Sequence, residues 1–412
     1  MSQRSRWPED LQLETLVAQA AELVGAATGH DLGGNSEDLR QVQLQHRPGA
    51  GVSALYRLPA IAGGGFIGLT TETLPETEGV VRIEIPADQE LAEPDAGALT
   101  VSVWRHPQDP RLPGLRLATM ADRVQRQWGD ADRLTGLETI TYRPLRRAVI
   151  RAEFATPAPV VAKRRIYLKV MRAGLAADLH ERHRMLSAAG LPVPTPLGDP
   201  VEDIVALAEV PGLPLSRLVL RDGAVGVDPA SLVDLLERIP AKALSLPRRP
   251  AWTDRIDRYA SAAAIAVPLH ADRIRALRGR IWSAVESSDR GPVVPTHGDF
   301  YEANLLMLGQ DVSGLLDVDA VGPGHRVDDL GCFLGHLAVL PAVDRRYRRI
   351  PEALDHFGSA FEEICDPRAL WARAAGVAVS LVAGARTPGS TSWGRDAEGR
   401  LAAAEALAER AG

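Results

Sequence analysis

A chain of 412 residues exceeds what one hydrophobic core usually organises, so two or three domains are expected. Its 45% hydrophobic and 24% charged residues exclude a disordered chain, and a net charge of −6 gives no electrostatic reason for general nucleic-acid binding. The polar start lacks the apolar core of a signal peptide and no apolar run reaches the length of a membrane span, so a cytoplasmic protein without a membrane partner is expected.

Residues 11–27 carry leucine, valine and alanine at helical spacing and predict one amphipathic helix ending near Gly29. From 39 to 118 the texture changes to short β-type runs at 41–44, 52–56, 65–69, 80–85 and 99–104. Gly and Pro clusters separate them, which predicts an antiparallel sheet. A Pro- and Arg-rich stretch over 105–117 ends this unit, and a short helix is expected over 121–128. A second β-rich stretch follows, with strands predicted at 139–142, 148–154 and 165–170. A helix over 176–189 closes at Gly190, Pro192 and Pro194, and one more apolar strand over 204–210 ends at Pro211-Gly212. From Ser231 onward the pattern is helical, interrupted at 296–318.

Strands first and helices after predict an α+β architecture with segregated lobes. The expected boundaries are an N-terminal cap or scaffold over 1–132, a β-rich small lobe over 133–211 and a helical lobe over 212–412. One internal echo crosses the first boundary. His46-Arg47-Pro48-Gly49-Ala50-Gly51-Val52 resembles Tyr142-Arg143-Pro144-Leu145-Arg146-Arg147-Ala148, as two like hairpins or as a partial duplication. The basic residues are almost all arginine: Lys163, Lys169 and Lys242 are the only lysines, so a lysine inside an apolar strand stands out. Cys332 and Cys365 lie far apart with no metal-ligand spacing and read as two buried thiols.

The informative stretch is Thr296-His297-Gly298-Asp299-Phe300-Tyr301-Glu302-Ala303-Asn304, followed by Gly314-Leu315-Leu316-Asp317-Val318-Asp319 and then Asp328-Asp329-Leu330. Phosphoryl transfer needs a carboxylate to accept the hydroxyl proton and oxygen ligands to hold magnesium against the phosphates. Asp299 and Asn304, five apart, sit on a loop leading into a strand, where the base can face the acceptor and the amide oxygen the metal. Asp317 closes the next apolar strand, where a carboxylate can meet the same ion.

The pattern resembles the aminoglycoside phosphotransferase and choline kinase branch of the protein-kinase-like fold: His-Gly-Asp, four residues, Asn, an apolar strand ending in Asp, then an Asp-Leu pair. The likeness spans roughly residues 138–340 and implies a bilobal kinase-like core that uses ATP and Mg2+. By carry-over, Asp299 would be the catalytic base, and Asn304 and Asp317 the metal ligands. His297 and Asp329 would support the loop. Asp319 has no fixed family role: substrate, a second metal ion and solvent are all open to it.

The upstream half fits the same plan. Lys169 stands where such a fold keeps a strand lysine for the phosphates, with Glu181 or Asp178 as its helix partner. Glu209-Val210 resembles the hinge whose backbone would meet adenine. One departure is Leu145, where related kinases usually carry a glycine that lets backbone N–H groups approach phosphate. That shifts the expected work to Arg146 or Arg147.

Asp317 and Asp329 are twelve residues apart, too few for the activation segment on which a protein kinase docks its peptide. A small hydroxyl compound is therefore the expected acceptor and partner. Carboxylates in the later chain, among them Glu302, Asp319, Asp328, Asp355, Glu362, Glu363 and Asp366, would favour a cationic one if they line its pocket. An aminoglycoside, an amino sugar or an amino alcohol fits. A neutral sugar, as in maltokinase-like or glucosamine-kinase-like members with an extra N-terminal unit, stays open, as does a catalytically silent nucleotide-binding protein.

Overall fold

The computed structural model describes residues 7–30, 32, 39–47, 51–86, 97–156, 163–385 and 392–412. They fall into two compact units: residues up to 178 with 197–209, and residues 179–196 with 210–385 and 392–412.

In the first unit, α1 (Glu9–Ala18) and α2 (Ala20–Thr28) precede five antiparallel strands, β1 (Arg40–Arg47), β2 (Gly51–Arg57), β3 (Phe66–Thr70), β4 (Val80–Ile85) and β5 (Leu99–Arg105). The strands pair in the order β1-β2-β3-β5-β4. Leu16 and Val24 from the helices pack with Val52, Ala54, Ile67, Leu69, Val101 and Val103 from the sheet in one core. The single helix expected over 11–27 is two, parted at Gln19. The Thr15 hydroxyl donates to the Leu11 carbonyl one turn back, a bond that competes with the helix ladder next to the break.

Two short helices, α3 (Leu115–Thr119) and α4 (Ala121–Trp128), lead into β6 (Arg133–Arg143), β7 (Arg147–Ala155) and β8 (Lys163–Val170). After α5 (Ala176–Ala188), which begins in this unit and passes into the other, β9 (Ile204–Ala208) completes an antiparallel sheet ordered β6-β7-β8-β9. In β7 every second residue is buried, so Ala148, Ile150, Ala152 and Phe154 face a core shared with Trp128, Ile166, Leu168 and Ile204. The echoed segments both lie at hairpins. His46 faces Val52 and Arg47 faces Gly51 in one, Tyr142 faces Ala148 and Arg143 faces Arg147 in the other. Residues 48–50 of the first echo lie outside the described residues.

The second unit is mainly helical. It contains β10 (Leu213–Pro214), α6 (Leu215–Asp222), α7 (Pro229–Glu237), α8 (Ile256–Ala266) and α9 (Ala271–Glu286). Then come β11 (Val293–Thr296), β12 (Leu305–Leu308), β13 (Asp311–Leu315) and β14 (Gly322–His325), and last α10 (Arg326–Val343), α11 (Ile350–Glu362), α12 (Pro367–Val382) and α13 (Trp393–Arg410). The strands form two small antiparallel sheets, β10-β12-β13 and β11-β14. The strand interruption expected at 296–318 is therefore present, and the whole is α+β, as the pattern of strands and helices implies. No helix among the described residues is long and apolar enough to cross a membrane.

Helix α10 is seated by two glycines four residues apart. A Cβ on Gly331 would lie 2.7 Å from the Arg373 Cβ, and one on Gly335 would lie 2.5 Å from the Ala374 carbonyl oxygen. Only glycine lets α10 and α12 approach this closely. Phe333, also on α10, meets the rings of Phe357 and Phe361 and that of Phe300 from the loop before β12. The helix thus fixes one side of the loop that carries the candidate residues.

Candidate active site

Asp299 sits in the loop between β11 and β12, half-buried, with both chain neighbours pinned. On one side the buried Asp329 carboxylate accepts the backbone N–H groups of His297 at 2.8 Å and Gly298 at 2.7 Å. On the other, the fully buried Phe300 ring packs between His297 and Phe333. Gly298 has φ +79°, and a Cβ there would lie 2.8 Å from the Ala320 carbonyl oxygen, so the turn requires glycine. Burial pushes the Asp329 carboxyl up to about 7, while the two N–H donors and the Arg326 charge pull it back. His297 is fully buried with its imidazole Nε2 at 3.0 Å from the Leu316 carbonyl oxygen, and burial lowers its pKa.

Asn304 is buried and donates from Nδ2 to the Asp299 carbonyl oxygen at 2.9 Å, which commits the amide nitrogen and leaves the amide oxygen as the atom available to an ion. Its own carbonyl oxygen accepts the Leu316 N–H at 2.8 Å, tying the loop to the residue before Asp317. Asp317 adopts φ +58° and ψ +50°, a left-handed conformation that costs a non-glycine residue about 1 kcal/mol and that aspartate tolerates better than most. The turn projects the residue off the end of β13 rather than continuing the strand. A carboxylate and an amide oxygen are a hard, all-oxygen donor pair of the kind magnesium takes.

Glu302, expected to face substrate, is only 4% exposed; its Oε2 has no hydrogen-bond partner and burial raises its carboxyl to about 7. Asp319 is half-buried in the short turn after Asp317. Sequence reading missed two residues of α10. Donor atoms of Asp299, Cys332 and His336 all lie within 4.8 Å of one another. Cys332 is buried and in no disulfide, as its reading as a buried thiol expects. Cys332 and His336 are four residues apart and share one helix face, and that spacing was the legible signal. The His336 ring stacks on Tyr301 at 4.1 Å, its Nε2 is buried without a hydrogen-bond partner, and burial pushes its pKa down to about 4.

Most of the carboxylates considered for an acceptor pocket have structural partners. Asp328 pairs with the buried Arg373 at 2.7 Å, Asp355 with Arg410 at 2.7 Å, and Glu362 accepts the Trp371 indole N–H. Asp366 caps α12 by accepting the Arg368 N–H at 2.8 Å. Glu181, on α5, meets Lys242 at 3.0 Å and Arg184 at 3.5 Å, and Lys242 lowers its pKa first.

In the first unit, Lys169 is 6% exposed on β8, opposite Val149 and Val205. Leu145 takes φ +61° in the β6–β7 turn, the left-handed conformation a glycine would supply, yet it is buried against Leu74 and Trp104. Its N–H donates to the buried Asp109 carboxylate at 2.8 Å and its carbonyl accepts Arg172 Nε at 2.7 Å. Asp109 also accepts the Tyr142 hydroxyl at 2.8 Å, and Trp104 donates to that hydroxyl's oxygen at 3.2 Å. Arg146 beside it is exposed, and Arg147 half-buried opposite Arg143. Glu209 ends the first unit with its N–H bonded to the Arg165 carbonyl and its carboxylate 3.1 Å from the Arg165 guanidinium; Val210 begins the second.

A sequence profile of the phosphotransferase enzyme family (APH) matches residues 159–375, more than half of the chain. Among solved structures, a thermostable mutant of the aminoglycoside phosphotransferase APH(4)-Ia, in a ternary complex with ADP and hygromycin B, superposes with a TM-score of 0.51 at 13% identity, over 71% of this chain and 98% of its own. An ethanolamine kinase of Plasmodium vivax superposes with a TM-score of 0.46 at 14% identity, over 68% of this chain and 87% of its own. A choline/ethanolamine kinase family protein of Mesorhizobium loti gives 0.45 at 17% identity, over 71% and 92%. The first likeness shows the fold alone. Among curated proteins none matches this chain.

Proposed function

This chain belongs to the phosphotransferase enzyme family, and from that premise we propose that it transfers the γ-phosphoryl group of ATP to a hydroxyl of a small molecule. The observation that carries the proposal is the fixing of Asp299 between Asp329-bound Gly298 and ring-packed Phe300. A carboxylate held from both sides can take the acceptor's proton as the oxygen–phosphorus bond forms, without first having to be ordered. Asn304, through its amide oxygen, and Asp317 would hold magnesium, which offsets negative charge on the phosphates when bound. Lys169 is proposed to meet the α- and β-phosphates, with Arg146 and Arg147 at the outer phosphate edge and the backbone of Glu209 and Val210 against adenine. His297 and Asp329 keep the loop in shape.

For the acceptor, an amino-bearing alcohol or sugar is proposed. The proposal rests on the place of Asp319, half-buried in the turn directly after Asp317, and on the buried Glu302 of the loop that carries Asp299; Asp328, Asp355, Glu362 and Asp366 make structural contacts of their own. A partly desolvated carboxylate attracts a cationic amine more strongly than an exposed one does. An ATP-dependent phosphorylation screen over aminoglycosides, amino sugars, amino alcohols and neutral sugars tests both levels. Turnover of amino compounds supports the whole reading. Preference for neutral sugars removes the cationic acceptor and keeps the kinase. ATP binding without turnover of any of them favours the silent alternative, for which the occupied Leu145 N–H is the specific observation.

A further inference from the structure

Asp299, Cys332 and His336 bring one oxygen, one sulfur and one nitrogen donor within 4.8 Å of one another. Cys332 is 1% exposed and in no disulfide, and His336 keeps a buried Nε2 with no hydrogen-bond partner. Asp299, half-buried in its loop, provides the accessible side of the group. We propose that these three side chains form a second cation site, selective for a borderline-soft ion such as Zn2+, whose occupancy blocks phosphoryl transfer by engaging Asp299.

The donor set decides the ion. Magnesium and calcium take oxygen ligands, whereas a thiolate, an imidazole and one carboxylate are a zinc set that leaves a fourth position for water. Zinc bonds of about 2.0–2.3 Å place tetrahedral donors roughly 3.3–3.7 Å apart, so side-chain adjustments of about 1 Å close the site. The frame for such closure is firm. Cys332 and His336 share one face of α10, the helix that Gly331 and Gly335 seat against α12. On binding, the zinc–sulfur bond replaces the Cys332 S–H bond and the proton passes to solvent. None of the three donors is one of the proposed magnesium ligands, Asn304 and Asp317. Inhibition rests on the reading of Asp299 as the base; binding does not.

The experiment titrates the chelator-stripped full chain with Zn2+ against a chromophoric competitor, and separately with Co2+ followed by absorption. The expected results are one zinc bound per chain and a sulfur-to-cobalt charge-transfer band in the near ultraviolet. Cys332→Ala and His336→Gln should each weaken zinc binding by more than about tenfold, since losing even an outer-shell partner of a metal costs that much. Zinc at saturating magnesium and ATP should then inhibit the wild type, reversibly on chelation, and inhibit each variant far less relative to that variant's own zinc-free rate. Absence of the cobalt–sulfur band overturns the proposal, as does zinc binding unchanged in both variants. The cobalt spectrum needs no variant, so it decides the matter even where a substitution prevents folding. Failure of phosphorylation with zinc binding intact would count against the kinase reading alone.

Discussion

The Asp109 carboxylate accepts the backbone N–H of Leu145 at 2.8 Å. Asp109 follows the five-stranded sheet and Leu145 is the turn of the four-stranded one, so this bond joins the two β regions of the first unit. It also occupies the N–H that a phosphate-gripping turn would offer to ligand. Leu145, the departure noted in the sequence, itself takes the left-handed conformation, held by burial against Trp104 and Leu74.

Asp109→Ala leaves the Leu145 N–H and the Tyr142 hydroxyl without their shared acceptor. Losing the partner of buried donors costs about 1–3 kcal/mol. Chemical denaturation should show a loss of that order. A variant as stable as wild type would mean that the bond does not anchor the turn.

Gly298→Ala places a Cβ 2.8 Å from the Ala320 carbonyl oxygen at a residue with φ +79°. The strain falls on the residue before Asp299, so phosphorylation should drop by at least about tenfold, the result of a misplacement of well under 1 Å, with a smaller change in melting temperature. Full activity would show that the loop tolerates a shift there.

Asp329 gives a pH prediction. Its folded-state carboxyl is raised by burial to about 7, above the ordinary aspartate value of 3.8. The native state therefore favours the protonated form. The associated stability is fully present below about pH 4 and is lost as pH rises through 7, by at most about 1.4 kcal/mol per pH unit for one proton. Asp329→Asn should be less stable overall, since an amide cannot accept both N–H bonds, and should lack that slope. Parallel pH profiles for the two proteins, measured by denaturation, would reject the assignment.

How far these features were legible follows from how local they are. The strand pattern of the four-stranded sheet could be read because alternation in segments such as Ala148, Ile150, Ala152 and Phe154 is a property of the strand itself. The ties of Asn304 to the Asp299 carbonyl and to Leu316, the residue before Asp317, could be read because these spacings are short. What stayed hidden depends on contacts across long stretches of chain. Asp109 meets Leu145 across 36 positions, and Asp328 turns to Arg373 across 45. The second removes one carboxylate from the acceptor pocket that sequence alone suggested. The break at Gln19 was masked because hydrophobic residues continue on both sides of it.

Lys169→Met keeps the apolar stem in its strand and removes the charge. With Lys169 only 6% exposed between Val149 and Val205, the fold should persist. ATP handling should weaken by about ten- to a thousandfold in kcat/KM, the range for a lost charge-assisted phosphate contact of roughly 1.5–4 kcal/mol. Unchanged kcat/KM for ATP would remove Lys169 from the site.

Asp299 is proposed to accept the acceptor's proton. Its most direct test is the kcat of Asp299→Asn in ATP-dependent phosphorylation of whichever acceptor the screen identifies, with the melting temperature measured alongside. The amide keeps the shape, so the protein should fold while its kcat falls by roughly 10²–10⁴-fold. A folded variant that phosphorylates at the wild-type rate would contradict that role.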